Sequence, residues 1–211
     1  MRIATITEIA SVVLSVMIAV WIVVPLAPGR RWLFAIPALS AFALIVYSLR
    51  IRGESLESIG LGASHFVESL RLITIPTAIA VGLLLLIGWS NSSIRFDGNL
   101  PFKLVSLPLW GLLQQFILQS FIYRRIRMIT RSRALALICA SALFALVHLP
   151  NPTLTVLTFI GAIVWSSVFE RAPNIYPLAV SHALASLTVM STLPTSMLRS
   201  LSVGYKYFFF Q

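Results

Sequence analysis

The chain has 211 residues, of which 58% are hydrophobic and only 10% are charged, and its mean hydropathy is +0.94. Soluble domains are about a quarter charged, so this composition excludes an ordinary soluble protein and predicts an integral membrane protein. The formal net charge is +10, but the arginines lie in short segments between apolar stretches, where membrane insertion explains them. We therefore expect no nucleic-acid partner.

Apolar segments long enough to cross a bilayer as helices follow one another along the chain. The predicted spans are approximately 9–26, 32–49, 72–89, 104–123, 134–149, 153–169 and 175–193. The fifth and sixth spans are separated by Pro150-Asn151-Pro152, because proline breaks a helix and disfavours helix in the residue before it. The predicted fold is all-α, a polytopic integral membrane protein of about seven transmembrane helices, folded as a single domain over residues 1–211.

The longest polar connection, residues 50–71, separates the second span from the third. Apolar and polar residues are interspersed in this connection, as in an amphipathic helix that lies on the membrane surface. The sequence predicts a short amphipathic helix there, with these side chains facing lipid: Leu56, Ile59, Leu61, Phe66 and Leu70.

The distribution of basic residues predicts the orientation of the chain. Of the 16 lysines and arginines, ten fall on one side of the seven-span layout and six on the other. The richer side is expected to be cytoplasmic, which places the N-terminus inside and the C-terminus outside. The five arginines between positions 124 and 133 are interpreted as a topological anchor.

Polar side chains within the predicted spans are the candidate functional residues. They are Gln114, Gln115 and Gln119 on the fourth span, His148 on the fifth, and His182 with Ser186 on the seventh. Gln115 and Gln119 are four residues apart and share a helix face. Counting the helical rise places Gln115, His148 and His182 near the middle of the bilayer, where they could meet.

Such polar groups can simply link neighbouring helices by hydrogen bonds. A convergent set on three helices is a stronger indication of function, because polar groups within a membrane are costly. Two histidines with neither a carboxylate nor a nearby cysteine make a poor zinc site. We therefore expect neither a metal nor a cofactor.

Three short motifs resemble one known family. Phe144-Ala-Leu-Val-His148 and His182-Ala-Leu-Ala-Ser186 are similar to the F-x-x-x-H and H-x-x-x-N motifs of the CPBP family, the CAAX proteases and bacteriocin-processing proteins. Gln114-Gln115-Phe-Ile-Leu-Gln119 stands where that family has E-E-x-x-x-R. The resemblance implies a CPBP-type helical core at about 104–193, preceded by three spans and the interfacial loop 50–71. It also implies a bacterial inner (plasma) membrane location.

The resemblance implies an intramembrane endopeptidase in which a glutamate activates water with help from the histidines. The six motif positions, Gln114, Gln115, Gln119, His148, His182 and Ser186, would then form the catalytic site. Glutamine can donate and accept hydrogen bonds but cannot act as a base. Gln119 in place of arginine removes the charge that would pair with the glutamates, so the three changes are mutually consistent.

Three functions remain open at this point. The first is a binding or scaffold protein that keeps the intramembrane pocket without the peptidase chemistry. The second is a working endopeptidase with an altered site, in which His148 or His182 is the base. The third is an enzyme that modifies a lipid or isoprenoid with the two histidines. The expected partners are membrane lipid and a prenylated peptide, a transmembrane peptide or an isoprenoid.

Overall fold

The computed structural model describes residues 2–26, 30–95 and 98–209. Within these ranges the regular structure is helical, without a strand, which confirms the predicted all-α class. The long helices are α1 (Arg2–Leu26), α2 (Trp32–Ile51), α3 (Phe66–Ser90), α4 (Leu100–Ile129), α6 (Pro152–Arg171) and α7 (Ile175–Thr192). These six are long and apolar enough to cross a membrane, and α5 (Arg133–Leu146) is a shorter apolar helix between α4 and α6. The prediction of about seven helices is therefore confirmed.

The chain divides into two compact units, each of which is discontinuous in sequence. Unit 1 comprises 1–54, 121–162 and 199–211, and unit 2 comprises 55–120 and 163–198. In unit 1, α1 packs against α2 and contacts the arginine-rich end of α4, which in turn contacts α5. In unit 2, α7 packs against α3 and against the first half of α4.

The helix α1 begins earlier than predicted, at Arg2 rather than near Ile9, and so contains Glu8. The Glu8 carboxylate accepts hydrogen bonds from Ser48 Oγ at 2.7 Å and from the Arg52 guanidinium at 2.7 Å. Polar groups within a membrane protein need such partners. This partnering accounts for a carboxylate within the first apolar helix.

The prediction of a surface helix between α2 and α3 is wrong. Residues 53–65 form turns and loop, and the helix that begins at Phe66 continues without interruption as α3. Ile59, which was predicted to face lipid, is buried, with only 4% of its surface exposed. A glycine with a positive φ of 77° follows it at position 60, and an L side chain disfavours that conformation.

The fifth helix ends sooner than predicted, at Leu146 instead of Leu149. Residues 147–150 form a turn ahead of Pro152, which begins α6. Pro150 lacks an amide hydrogen and disfavours helix in the residue before it, so the chain leaves the helix here. His148 therefore lies beyond the end of α5, and its placement on the fifth span is wrong.

Gly111 permits the close approach of α4 and α7 in unit 2. A β-carbon at this position would lie 2.8 Å from the backbone oxygen of Ala179 and 3.6 Å from Cβ of His182. Small residues serve this purpose in membrane helices, where van der Waals packing drives association. Gly111 is thus part of the packing that brings α4 to the helix carrying His182.

We expect Gly111→Ala to lower the free energy of unfolding by about 1–3 kcal/mol, because the methyl group must displace a backbone carbonyl. The matched control is Gly82→Ala, where a β-carbon has no heavy atom within 4 Å. Alanine should be neutral or slightly stabilising there, since it favours helix by up to about 1 kcal/mol over glycine. Unfolding in mixed micelles measures both variants; equal stability of the two would refute this view of Gly111.

Candidate functional site

The centre of the site is a contact between α4 and α7 in unit 2. Gln115 Nε2 lies 3.4 Å from His182 Nδ1, and both residues are buried. An amide nitrogen can only donate a hydrogen bond, so Nδ1 of His182 is the acceptor. A neutral imidazole that accepts at Nδ1 carries its hydrogen on Nε2. This contact suits the tautomer of His182 that carries its hydrogen on Nε2.

Gln119 extends this contact into a chain of three buried side chains. Its Nε2 donates to Gln115 Oε1 at 3.1 Å, one helical turn away. Both glutamines have no exposed surface. Gln119 Oε1 is buried without a hydrogen-bond partner among the described residues. Burying an unpaired carbonyl oxygen is costly. The Gln119 side chain is therefore the member of the series that could accept a further hydrogen bond.

The backbone that carries the two glutamines changes helix type at this point. Gln115 ends the α-helical part of α4, and Phe116–Tyr123, which contains Gln119, is π-helical. Single π-helical turns are rare and are frequent at functional sites. Ser120 lies in the same turn, and its hydroxyl donates to the backbone oxygen of Ile59 at 2.6 Å.

The imidazole of His182 also stacks on an aromatic ring from α6. The rings of Trp165 and His182 lie 4.4 Å apart between centroids, with an angle of 21° between their planes. Trp165 Nε1 donates to Ser181 Oγ at 3.0 Å, and Ser181 Oγ is 2.7 Å from Thr77 Oγ1 on α3. These polar contacts fix the indole, and the indole fixes the plane of the imidazole.

Sequence reasoning did not identify Trp165, Ser181 or Thr77. Ser181 directly precedes His182, but a serine beside a candidate residue is too common to indicate a role. Trp165 lies in an apolar run that precedes Glu170, with no motif around it. The contacts that make these residues part of the site join positions 16 and 104 residues apart, which helical periodicity cannot reveal.

Asn174 fixes the start of α7 and the loop that precedes α3. Its Nδ2 donates to the backbone oxygens of Gly62 and Ser64 at 3.0 and 2.9 Å, and its Oδ1 accepts from the amide of Tyr176 at 3.1 Å. The amide of Ile175 donates to the oxygen of Gly60 at 3.0 Å. The side chain therefore caps α7 and joins the loop to it.

The remaining candidate residues lie outside this chain of contacts. Gln114 and Ser186 are half-buried, on α4 and α7. His148 belongs to unit 1, where its Nδ1 lies 2.9 Å from the backbone oxygen of Phe144 and its ring packs against the Phe144 ring. If Nδ1 carries the hydrogen, it donates a hydrogen bond to the Phe144 carbonyl near the end of α5, where backbone oxygens lack partners within the helix.

Metal ligands are not assembled in the part of the chain that the structure describes. No group of three or more histidine, cysteine, aspartate or glutamate side chains there could hold an ion. Cys139 is half-buried on α5 and forms no disulfide.

Comparison with known proteins identifies the region that carries the site. Residues 97–188 match the family model described as type II CAAX prenyl endopeptidase Rce1-like, over a little under half of the chain. This part of the chain is similar to the CAAX protease-like family. The matched range contains all six motif positions, from Gln114 to Ser186. No curated protein and no solved structure matches the chain.

The match bears on the chemical meaning of the glutamines. The positions where the resembling family motif has glutamates carry amides in this chain, and one of these amides lies within hydrogen-bond distance of His182. The resulting series of Gln119, Gln115 and His182 contains no carboxylate and is hydrogen-bonded within unit 2. It can orient a polar group or hold two helices together, but its glutamines cannot take up a proton.

Proposed function

We propose that this CAAX protease-like membrane protein is a binding or scaffold protein that does not hydrolyse peptides by the glutamate mechanism. The observation that carries the proposal is the hydrogen bond from Gln115 Nε2 to His182 Nδ1. A carboxylate at position 115 could accept a proton from water, whereas the amide donates a hydrogen bond to the imidazole. The lone pair of Nδ1 is engaged by that bond.

The replacements support a neutral site rather than the loss of one group. A lone arginine at the fully buried position 119 would be costly without carboxylates beside it. Gln119 instead bonds Gln115 and leaves a buried acceptor oxygen. A site built in this way favours uncharged partners.

The expected partner is apolar: a prenylated peptide, a transmembrane helix or an isoprenoid. The matched family is described as a prenyl endopeptidase. On α4 and α7, large apolar side chains near the site residues are exposed, with 64% exposure for Leu109, 51% for Val180 and 46% for Leu184. An exposed apolar surface of this kind can contact a lipid-like chain or another helix.

The test uses the full-length protein in detergent micelles and a fluorescent farnesylated peptide ending in a CAAX sequence. We expect saturable binding measured by fluorescence anisotropy, with the peptide intact by mass spectrometry. His182→Ala should weaken binding roughly tenfold, because it removes a polar side chain from the proposed binding site, a loss of about 1–2 kcal/mol. The matched control is His65→Ala, since His65 is exposed in the loop before α3 and its ring pairs with Glu68.

Cleavage of the peptide by the native protein, abolished in His182→Ala, would overturn the proposal in favour of the altered endopeptidase. In that alternative an imidazole would have to act as the base in place of the absent glutamate. A covalent change in an isoprenoid substrate would instead support the lipid-modifying enzyme. Absence of both binding and chemistry would refute a role for this class of ligand.

A variant with the family motif restored provides a further check. Gln114→Glu, Gln115→Glu and Gln119→Arg together reinstate the carboxylates and their cationic partner. Peptidase activity in this triple variant and none in the native protein is the result expected from the proposal. Equal activity in both proteins would show that the glutamines do not determine the chemistry.

A further inference from the structure

The helices α1 and α2 of unit 1 enclose an open apolar groove with a volume of about 550 Å³. Leu26 and Leu33 line the end beside the connection between the helices, Ile22 and Ile36 line the middle, and Ser15 and Ser40 line the far end. Ser40 Oγ donates to the backbone oxygen of Ile36, so its polar group is already satisfied. The interior of the groove is therefore suited to a hydrocarbon chain.

The length of the groove matches one leaflet of a bilayer. Ser15 and Leu26 lie eleven positions apart on α1, which corresponds to about 16 Å at 1.5 Å per residue. Half of a hydrocarbon core of about 30 Å is close to this length. The groove thus runs from the end of a membrane-spanning helix to a depth near the bilayer centre, as a single acyl chain does.

One wall of the groove is held open by contacts on the other side of α1. Residues Ile18–Val23 are π-helical, and Trp21 lies in this turn. Trp21 Nε1 donates to the backbone oxygen of Val147 at 2.8 Å, and the Trp21 oxygen accepts from the amide of Tyr205. These hydrogen bonds to Val147 and Tyr205 restrict movement of the π-helical turn toward α2. The groove is therefore preformed.

The charge at the end of the groove selects the head group. Arg30 is exposed in the connection between Leu26 and Leu33, and Arg31 follows it. No aspartate or glutamate occurs between Glu8 and Glu54. Trp32 is 66% exposed, and tryptophan is enriched at the level of lipid head groups. This end of the groove therefore attracts a negatively charged head group.

We propose that the groove binds one acyl chain of an anionic phospholipid, whose phosphate lies at Arg30. The site is separate from the glutamine–histidine chain, so it holds whether the protein is a scaffold or an enzyme. The bound lipid fills space between α1 and α2 that their own side chains leave open.

The test is native mass spectrometry of the full-length protein released from nanodiscs made with equal amounts of phosphatidylglycerol and phosphatidylcholine. We expect one retained lipid per chain, with about fivefold preference for phosphatidylglycerol, the effect of one basic residue beside an anionic head group compared with a zwitterionic one. Arg30→Gln should remove the preference. Arg131→Gln, which changes an exposed arginine elsewhere in unit 1, should leave it unchanged.

A second pair of variants tests the groove itself. Ile36→Trp places a large ring within the groove and should abolish lipid retention. Leu39→Trp adds the same ring at an exposed position of the same helix that does not line the groove, and should retain the lipid. Loss of lipid in both variants or in neither, equal retention of the two lipids, or a second copy of the chain in place of lipid would overturn the proposal.

Discussion

Glu54→Gln is expected to lower the free energy of unfolding by about 3 kcal/mol, because it removes the main partner of a fully buried arginine. The Arg125 side chain has no exposed surface, and its Nη1 lies 2.5 Å from Glu54 Oε1. Glu54 is 6% exposed and also binds Arg124, through its second oxygen at 2.6 Å. Removing one member of such a pair leaves a buried charge uncompensated.

The cost is set at the lower end of the range for buried pairs because Arg125 keeps a second carboxylate. Its Nε lies 3.1 Å from Glu8 Oε2, and its Nη2 donates to Ser48 Oγ at 2.9 Å. Its guanidinium also lies over the ring of Phe121. These remaining contacts hold the side chain in place but leave Arg124 and Arg125 with one acid fewer.

The matched control is Glu68→Gln, the same substitution in an exposed pair. Glu68 binds His65 with both side chains about half exposed, and such pairs contribute less than about 1 kcal/mol. The double variant Glu54→Gln, Arg125→Gln should cost less than the sum of its single variants, since it removes both charges together. If Glu54→Gln were as mild as Glu68→Gln in mixed-micelle unfolding, the ion pair would have no structural role.

This network also shows where sequence reasoning fails. The arginines at the end of α4 and just beyond it carry the charge bias that predicts topology, and that interpretation required no partner for them. The partners of Arg125 are 71 and 117 residues away, on segments that share no pattern with it. Burial of an arginine depends on such distant carboxylates, so local composition cannot predict it.

The parts of the fold that depend on local pattern were predicted well. Apolar length predicted the long helices, and the four-residue spacing of Gln115 and Gln119 predicted the shared face on which they bond. Counting the helical rise placed Gln115 and His182 at depths where they could meet, and their side chains lie 3.4 Å apart. His148 was misplaced because the helix ends three residues earlier than the apolar run suggested.

The prediction for the loop before α3 was wrong for a different reason. Its apolar residues suggested a surface helix, yet Ile59 is buried and the chain turns with a positive φ at Gly60. Phe169 would lie 2.6 Å from a β-carbon at position 60, so glycine is needed there for space as well as for conformation. The groups that hold this loop lie more than a hundred residues later, around Asn174.

Asn174→Ala is therefore expected to lower the free energy of unfolding by about 3 kcal/mol. The loss of the cap on α7 costs about 1 kcal/mol, and each of the two hydrogen bonds to loop carbonyls contributes about 1 kcal/mol. Asn174 has no exposed surface, so water cannot readily replace the amide. Ser132→Ala is the matched control, since Ser132 caps α5 with a single bond to the amide of Leu135; about 1 kcal/mol is expected.

Hydrogen exchange distinguishes the two roles of Asn174. Asn174→Asp keeps an oxygen for the amide of Tyr176 but has no hydrogen to donate to Gly62 and Ser64, so the loop should exchange faster while the start of α7 stays protected. Unchanged exchange over residues 56–64 would contradict the assignment of the loop to this side chain. Because Ile59 also accepts a hydrogen bond from Ser120, the residue after Gln119, a loosened loop should increase exchange in the π-helical turn of the site.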